Sequence, residues 1–158
     1  MAIEQLNRKN TEGSRAYGLH DAAAEASGGA TRTLTAAESG GLFFWDAAAG
    51  VDYTLPAPVA GMKFAFYATV AVTSNAHAIS TDAATTFIGG PLSMGIAATD
   101  TNEMQVGDET SDVTVSMNGT TTGGLEGTYI EVVAISSTVW ITRRSTVIGS
   151  GTLATPFA

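Results

Sequence analysis

The chain has 158 residues, with seven basic and fifteen acidic side chains and a net charge of −8. A chain of this length fits one domain and buries about 70% of its unfolded surface. The acidic field repels a phosphate backbone, so nucleic-acid binding is not expected. There is no cysteine, which excludes disulfides and thiolate chemistry and suits folding in a reducing cytoplasm.

Residues 1–30 are predicted to form an extended N-terminal arm. Apolar residues are too sparse there to offset the entropy of ordering the segment on its own. We therefore expect the arm to be held by a neighbouring molecule, with disorder as the alternative. Residues 1–15 carry three basic and two acidic side chains, a local charge of +1, which leaves −9 for the remainder. Such an arm could dock to an acidic surface, although so short a stretch can also show this balance by chance.

Residues 31–144 are predicted to form a compact β body. Leu42–Trp45 is an apolar burst, and Val51–Leu55 alternates apolar with polar residues, as a half-buried strand does. Pro56 ends that strand because it lacks the N–H that a sheet requires. A longer run, Met62–Thr73, again places apolar side chains on one face. Half of the aromatic residues lie between Phe43 and Phe66, so most of the aromatic core is expected there.

The second half of the body is predicted to contain the clearest hairpin. Thr128–Ser136 and Val139–Thr142 are both rich in β-branched and aromatic residues and are joined by a short turn, and Arg143 and Arg144 are expected to end the second strand. Residues 145–158 are predicted to form an extended tail with apolar anchors but no local fold. About eight strands and almost no helix indicate an all-β domain: an antiparallel β-sandwich, jelly-roll-like, or a barrel.

A search for chemistry finds no catalytic or metal-binding constellation, and we expect neither an enzyme nor a cofactor. His20 and His77 lack partners at metal-ligand spacing, and His77 is predicted to be a surface strand residue. The acidic stretch from Asp100 to Asp112 lacks the glycine and glutamate of an EF-hand loop, so a solvated loop is expected there in preference to an irregular calcium site.

Two further pairs of residues admit a functional reading. Asp46 and Asp52 could be a glycosidase carboxylate pair, but aspartates at turns ordinarily cap local N–H groups. Trp45 and Trp140 could stack on sugar rings, but their strand positions favour packing in a core or a subunit interface. The N-terminus lacks a secretion signal, and the longest apolar run is too short to span a bilayer, so a soluble protein without membrane contact is expected.

One part of the chain resembles a known class of proteins. Three segments are similar to segments of small virion proteins of tailed bacteriophages, especially head decoration (cement) proteins. They are Leu34–Gly40 (LTAAESG), Tyr53–Phe64 (YTLPAPVAGMKF) and Thr73–Ile79 (TSNAHAI). The likeness covers Leu34 to Ile79, with a weaker echo in the Trp140 hairpin and the tail. Similar Leu-Pro-Ala-Pro corners occur in phage tail and fibre proteins.

The resemblance implies a non-enzymatic protein on the outer surface of the virion head. It would bind the major capsid protein, commonly as a homotrimer, and clamp neighbouring subunits against internal pressure. The arm and the tail would supply the contacts to capsid or protomer, and the candidate residues are Ile3, Leu6, Arg8, Arg15, Tyr17 and Phe157. The alternative is a tail-fibre or receptor-binding module that recognises host glycans through Trp45 or Trp140.

Overall fold

The computed structural model describes residues 31–158, and the predicted arm lies outside the described residues. The described part contains ten strands and one short 3₁₀ helix (Ala36–Glu38). The strands are β1 (Thr31–Thr33), β2 (Leu42–Trp45), β3 (Asp52–Thr54), β4 (Lys63–Ala68), β5 (His77–Ser80), β6 (Phe87–Ile96), β7 (Thr101–Gly107), β8 (Thr114–Met117), β9 (Tyr129–Ala134) and β10 (Val139–Gly149).

The strands form two sheets that pack face to face. One has four strands in the order β1-β3-β5-β8, and the other has six in the order β2-β4-β9-β10-β6-β7. The prediction of an all-β sandwich is confirmed, and the sheets do not close into a barrel. The predicted β9–β10 hairpin is present, with Trp140 opposite Ala134.

The sheets are mixed, so the expectation of a purely antiparallel sandwich is wrong. Four pairs of neighbouring strands are parallel: β1 with β3, β3 with β5, β2 with β4, and β6 with β10. The reason lies in the path of the chain, because β1 to β6 alternate between the two sheets. A chain that crosses to the other sheet and returns runs in its original direction, which makes neighbours within a sheet parallel.

The core between the sheets is aromatic. Trp45, Tyr53 and Phe66 are at most 1% exposed, because alternation along each strand turns these positions inward. The Tyr53 ring of the four-stranded sheet lies 5.4 Å from the Phe66 ring of the six-stranded sheet, and Trp45 stacks on Phe66 at 5.4 Å. Each fully buried large apolar side chain contributes about 1.5–3 kcal/mol. The expectation that residues 43–66 supply most of the aromatic core is confirmed.

The C-terminal residues are part of the folded body, contrary to the predicted tail without local structure. β10 continues through Arg143 and Arg144 to Gly149, so the predicted boundary at residue 144 falls inside a strand. A bulge makes this possible: the register shifts between Arg143 and Thr146, and Arg144 adopts a positive φ of 48°. Farther on, the Ala158 backbone exchanges hydrogen bonds with Thr114 of β8.

Candidate functional site

The contact residues predicted from sequence divide into two groups. Ile3, Leu6, Arg8, Arg15 and Tyr17 lie outside the described residues. Phe157, predicted as a capsid or protomer contact, is described and lies in the interior of the body. It is 7% exposed, belongs to the core and forms a β-bridge with Val115. Its ring also lies against Gly107, where an added Cβ would overlap it.

An aromatic row crosses the outer face of the six-stranded sheet. Its members are Phe44 of β2, Tyr67 of β4 and Tyr129 of β9, and the strand register places Phe44 beside Tyr67 and Tyr67 beside Tyr129. Alternation produces the row, since each of the three has an inward-facing neighbour on its strand. Tyr67 is 36% exposed, and the other two are half-buried.

A charged pair and an apolar residue border the aromatic row. Two residues along each strand, a second row crosses the same face. From β2 to β10 its members are, in order, Leu42, Ala65, Glu131 and Arg143. Leu42 is 40% exposed. The Arg143 guanidinium contacts the Glu131 carboxylate, with 3.0 Å between Nε and Oε1. The surface therefore joins aromatic and aliphatic groups with one ion pair.

The Tyr129 hydroxyl connects the row to this ion pair. It donates a hydrogen bond of 3.5 Å to Oε2 of Glu131. Partial burial raises the pKa of Tyr129, and the adjacent Glu131 carboxylate raises it further. The phenol is therefore a neutral hydrogen-bonding group at physiological pH, and it is not poised as a proton acceptor.

The rings of the row do not form a flat platform. Phe44 and Tyr67 have ring centroids 6.5 Å apart and planes inclined by 81°, an edge-to-face arrangement. One ring thus presents its edge where the other presents its face. Tyrosine and arginine beside exposed aliphatic groups are the composition typical of the centre of a protein–protein interface.

Comparison with known proteins adds no relative. No protein-family model, curated protein or solved structure matches the chain. The surface must therefore be interpreted from its own geometry. Within residues 31–158, no helix is long and apolar enough to cross a membrane.

The tryptophans proposed for glycan binding are not accessible. Trp45 and Trp140 are both 0% exposed and lie in the core between the sheets. The interpretation of both as packing residues is confirmed, and neither indole can stack on a sugar in this conformation. The aromatic residues that reach the surface include Phe44, Tyr67 and Tyr129, which the sequence pattern marked only as strand positions.

His77 is buried, so its assignment as a surface residue is wrong. It is 0% exposed and lies on the same side of β5 as Ile79, which is also fully buried. Its Nε2 lies 3.1 Å from the Val70 carbonyl oxygen, and Nδ1 has no hydrogen-bond partner among the described residues. Burial lowers the pKa of the imidazole, partly opposed by the hydrogen bond to Val70. The apolar partner Ile79 was the signal that this face is internal.

Two of the carboxylates considered for catalysis or metal binding are hydrogen-bonded locally, and a third is exposed. Asp52 Oδ1 accepts a hydrogen bond of 3.0 Å from the Ser80 hydroxyl, whereas Asp46 is exposed. Asp108 Oδ1 accepts hydrogen bonds from the backbone and hydroxyl of Thr110, and these bonds lower its pKa. In the described part of the chain, no three His, Cys, Asp or Glu side chains are grouped so that they could hold a metal ion.

Proposed function

We propose that this chain is a structural protein of a tailed bacteriophage that decorates the outside of the head and stabilises the shell by bridging major capsid protein subunits. The observation that carries the proposal is the aromatic row of Phe44, Tyr67 and Tyr129 on the outer face of the six-stranded sheet. The resemblance of Leu34–Ile79 to head decoration proteins supports it, since that stretch contains β2 to β4, most of β5, and Phe44 and Tyr67 of the aromatic row.

The aromatic row suits a protein partner. Aromatic side chains bury a large area at a small cost in rotamer entropy, and Arg143 is already oriented by Glu131. Such residues supply most of the binding energy when they are buried at the centre of an interface. Leu42 and Tyr67 are exposed hydrophobic residues on this face, so contact with another protein would remove apolar surface from water.

The stabilising mechanism is mass action. A ligand that binds only the assembled shell stabilises it by RT ln(1 + [L]/Kd), repeated over every copy bound. A homotrimer would engage three faces together and gain avidity without any new type of contact. The N-terminal arm, through Ile3, Leu6 and Arg8, would add contacts to the capsid.

The test is co-sedimentation of the purified protein with capsids that lack it. Substituting Tyr67→Ala in the aromatic row is expected to weaken binding at least about tenfold, which corresponds to about 1.4 kcal/mol. Val59→Ala is the matched control, because Val59 is 60% exposed and lies outside the row. Unchanged binding of a folded Tyr67→Ala protein would contradict the assignment of this face.

The arm is tested separately by deleting residues 1–20. Reduced co-sedimentation of the folded deletion variant is expected, since the arm carries the predicted contacts Ile3, Leu6 and Arg8. Full binding by that variant would remove the arm from the proposal and leave the sheet face as the contact.

The second candidate function is a tail-fibre module that recognises host glycans. The exposed aromatic row favours it, because sugar rings stack on aromatic faces. The 81° angle between Phe44 and Tyr67 disfavours it, since these two rings cannot both lie flat against one sugar chain. A glycan array, together with the position and abundance of the protein on intact particles, separates the two functions: many copies over the head indicate decoration, and a few at the tail indicate a fibre.

A further inference from the structure

β7 is an edge strand whose second edge is unpaired in the described part of the protein. It is the last strand of the six-stranded sheet and pairs only with β6, from Thr101 opposite Ile96 to Gly107 opposite Gly90. Six of its seven residues are at least partly exposed, and five of those are well exposed. A free edge of this length offers a row of backbone donors and acceptors to an added strand.

The outer face of this edge is apolar. Met104 and Val106 are each 69% exposed, the largest exposed fractions among the large hydrophobic side chains of the described residues. They lie beside Ser93 and Pro91 of β6, which are exposed as well. Folded proteins usually protect a free edge with charges or proline on the edge strand. The one charged residue of β7, Glu103, alternates with Met104 and Val106 and lies beside the buried Met94. The charge is therefore on the other face of the strand, and the outer face of this edge is left apolar.

Charge restricts what can cover the edge. Five acidic residues lie on β7 or beside its ends: Asp100, Glu103, Asp108, Glu109 and Asp112. Residues 64–142 contain no lysine or arginine to balance them. Two β7 strands from different copies would bring these like charges together, which opposes edge-to-edge pairing. A strand with basic residues complements the edge.

The chain itself contains a segment with the required pattern. Residues 15–19 read Arg-Ala-Tyr-Gly-Leu, so Arg15, Tyr17 and Leu19 alternate with the small residues Ala16 and Gly18. This is the period of a strand with one large-residue face. Tyr17 and Leu19 could cover Met104 and Val106, while Arg15 meets the acidic surroundings.

We propose that residues 15–19 of one copy add as a strand to the free edge of β7 in a second copy. This arm exchange is a contact between copies and does not depend on capsid binding. Because donor and acceptor are different surfaces, the contact is head-to-tail and can close into a ring such as a trimer.

The start of the described chain lies away from β7. Phe157 bridges Val115 of β8 and lies against Gly107 of β7, so β7 and β8 are on the same side of the sandwich. The described chain begins in β1, at the opposite edge of the four-stranded sheet. Crossing six strands takes about 24 Å and passing between sheet layers about 10 Å more. The residues between His20 and Thr31 reach about 40 Å when fully extended, which exceeds this path. Chain length therefore permits pairing with either copy, and the double variant described below decides between them.

Cysteine cross-linking tests the exchange directly, because the chain has no cysteine of its own. Tyr17→Cys protein is mixed with Met104→Cys protein under mild oxidation. We expect a disulfide-linked heterodimer in at least about tenfold excess over the product of Tyr17→Cys mixed with Val59→Cys, in which the second cysteine is equally accessible but distant from β7. Raising the salt concentration should reduce the yield, since charge attraction contributes to the pairing.

Three outcomes would overturn the proposal. The first is a Tyr17–Met104 yield no greater than that of the Val59 control. The second is a predominant Met104–Met104 product, which would mean that two β7 edges pair with each other. The third is a monomeric, internally linked product from the Tyr17→Cys/Met104→Cys double variant at low protein concentration, which would place the arm on its own body. Sedimentation velocity of each variant confirms that the reacting species are folded.

Discussion

The imidazole of His77 stacks on the indole of Trp45, with ring centroids 5.5 Å apart and planes inclined by 19°. The two rings come from different sheets, since Trp45 is in β2 and His77 is in β5. A carbonyl can only accept, so the contact between Nε2 and the Val70 oxygen places the proton on Nε2. The buried Nδ1 is then unprotonated and has no hydrogen-bond partner among the described residues.

This arrangement predicts a loss of stability on mild acidification. Burial lowers the pKa of His77 below its ordinary value of 6.5, so the unfolded chain binds a proton more readily than the folded one. The contribution of neutral His77 to the free energy of unfolding is therefore fully present above pH 6.5, and it falls as the pH drops through that value towards the lowered pKa. Urea unfolding at about pH 7.5 and about pH 5 measures the difference.

One variant identifies His77 as the source of that loss. His77→Gln should flatten the pH dependence of the unfolding free energy across this range, whatever its effect on total stability. Asp108 also has a lowered pKa, but its contribution is lost only below about pH 4, outside this range. An unaltered pH dependence in His77→Gln would show that another group is responsible.

A second prediction concerns Phe157, which lies in the core although it is the next-to-last residue. Phe157→Ala is expected to reduce the free energy of unfolding by about 3 kcal/mol, because it removes a buried ring and leaves a cavity between β7 and β8. Thr152→Ala, at an exposed position of the same segment, should change it by less than about 0.5 kcal/mol. Equal unfolding midpoints for the two variants would mean that the C-terminal segment does not contribute to the core.

The sequence predicted the side-chain alternation well, because burial follows the two-residue period of a strand. Tyr53 and Trp140 were placed correctly on this basis, and so was the β9–β10 hairpin. Alternation carries no information on strand direction, so the parallel pairs were missed. The end of β10 was also misplaced, because Arg143 and Arg144 look like surface residues that stop a strand, whereas here they form a bulge within it.

The candidate surface was harder to predict than the core. Phe44 and Tyr67 are visible in the sequence as strand residues, but only the register shows that they are neighbours on one face. Met104 and Val106 lie in a weakly periodic stretch, and their exposure depends on β7 being the last strand of its sheet. The aromatic row and the apolar edge of β7 both depend on the order of the strands in the sheet, which a single sequence does not specify.

A third prediction tests the contact between β10 and β6 beside the bulge. The buried Thr142 hydroxyl lies 3.0 Å from the Gly89 carbonyl oxygen and 2.9 Å from that of Pro91. Thr142→Val keeps the shape but leaves these carbonyls without that donor, at an expected cost of about 1–3 kcal/mol in unfolding free energy. Thr146→Val, at an exposed position on the same strand, is the control and should be nearly neutral. A neutral Thr142→Val would show that water or a neighbouring donor replaces the hydroxyl.

A fourth prediction separates backbone strain from steric overlap at two turn glycines. Gly40 and Gly119 both have positive φ, 96° and 82°. A Cβ at Gly40 meets nothing within 4 Å, whereas one at Gly119 would overlap the Val72 carbonyl oxygen. Gly40→Ala therefore incurs only the conformational cost, about 1–2 kcal/mol. Gly119→Ala adds the cost of displacing a neighbouring backbone, about 1–3 kcal/mol more.

Chemical denaturation of the two glycine variants measures this difference directly, because both carry the same substitution at a turn. The larger loss is expected for Gly119→Ala, since the Val72 carbonyl belongs to a backbone segment held by the hydrogen bond from Val72 N–H to the Gly124 oxygen. If the segment moves away freely, the two variants will lose the same stability. That result would mean that the loop after β4 is not packed tightly against the turn after β8.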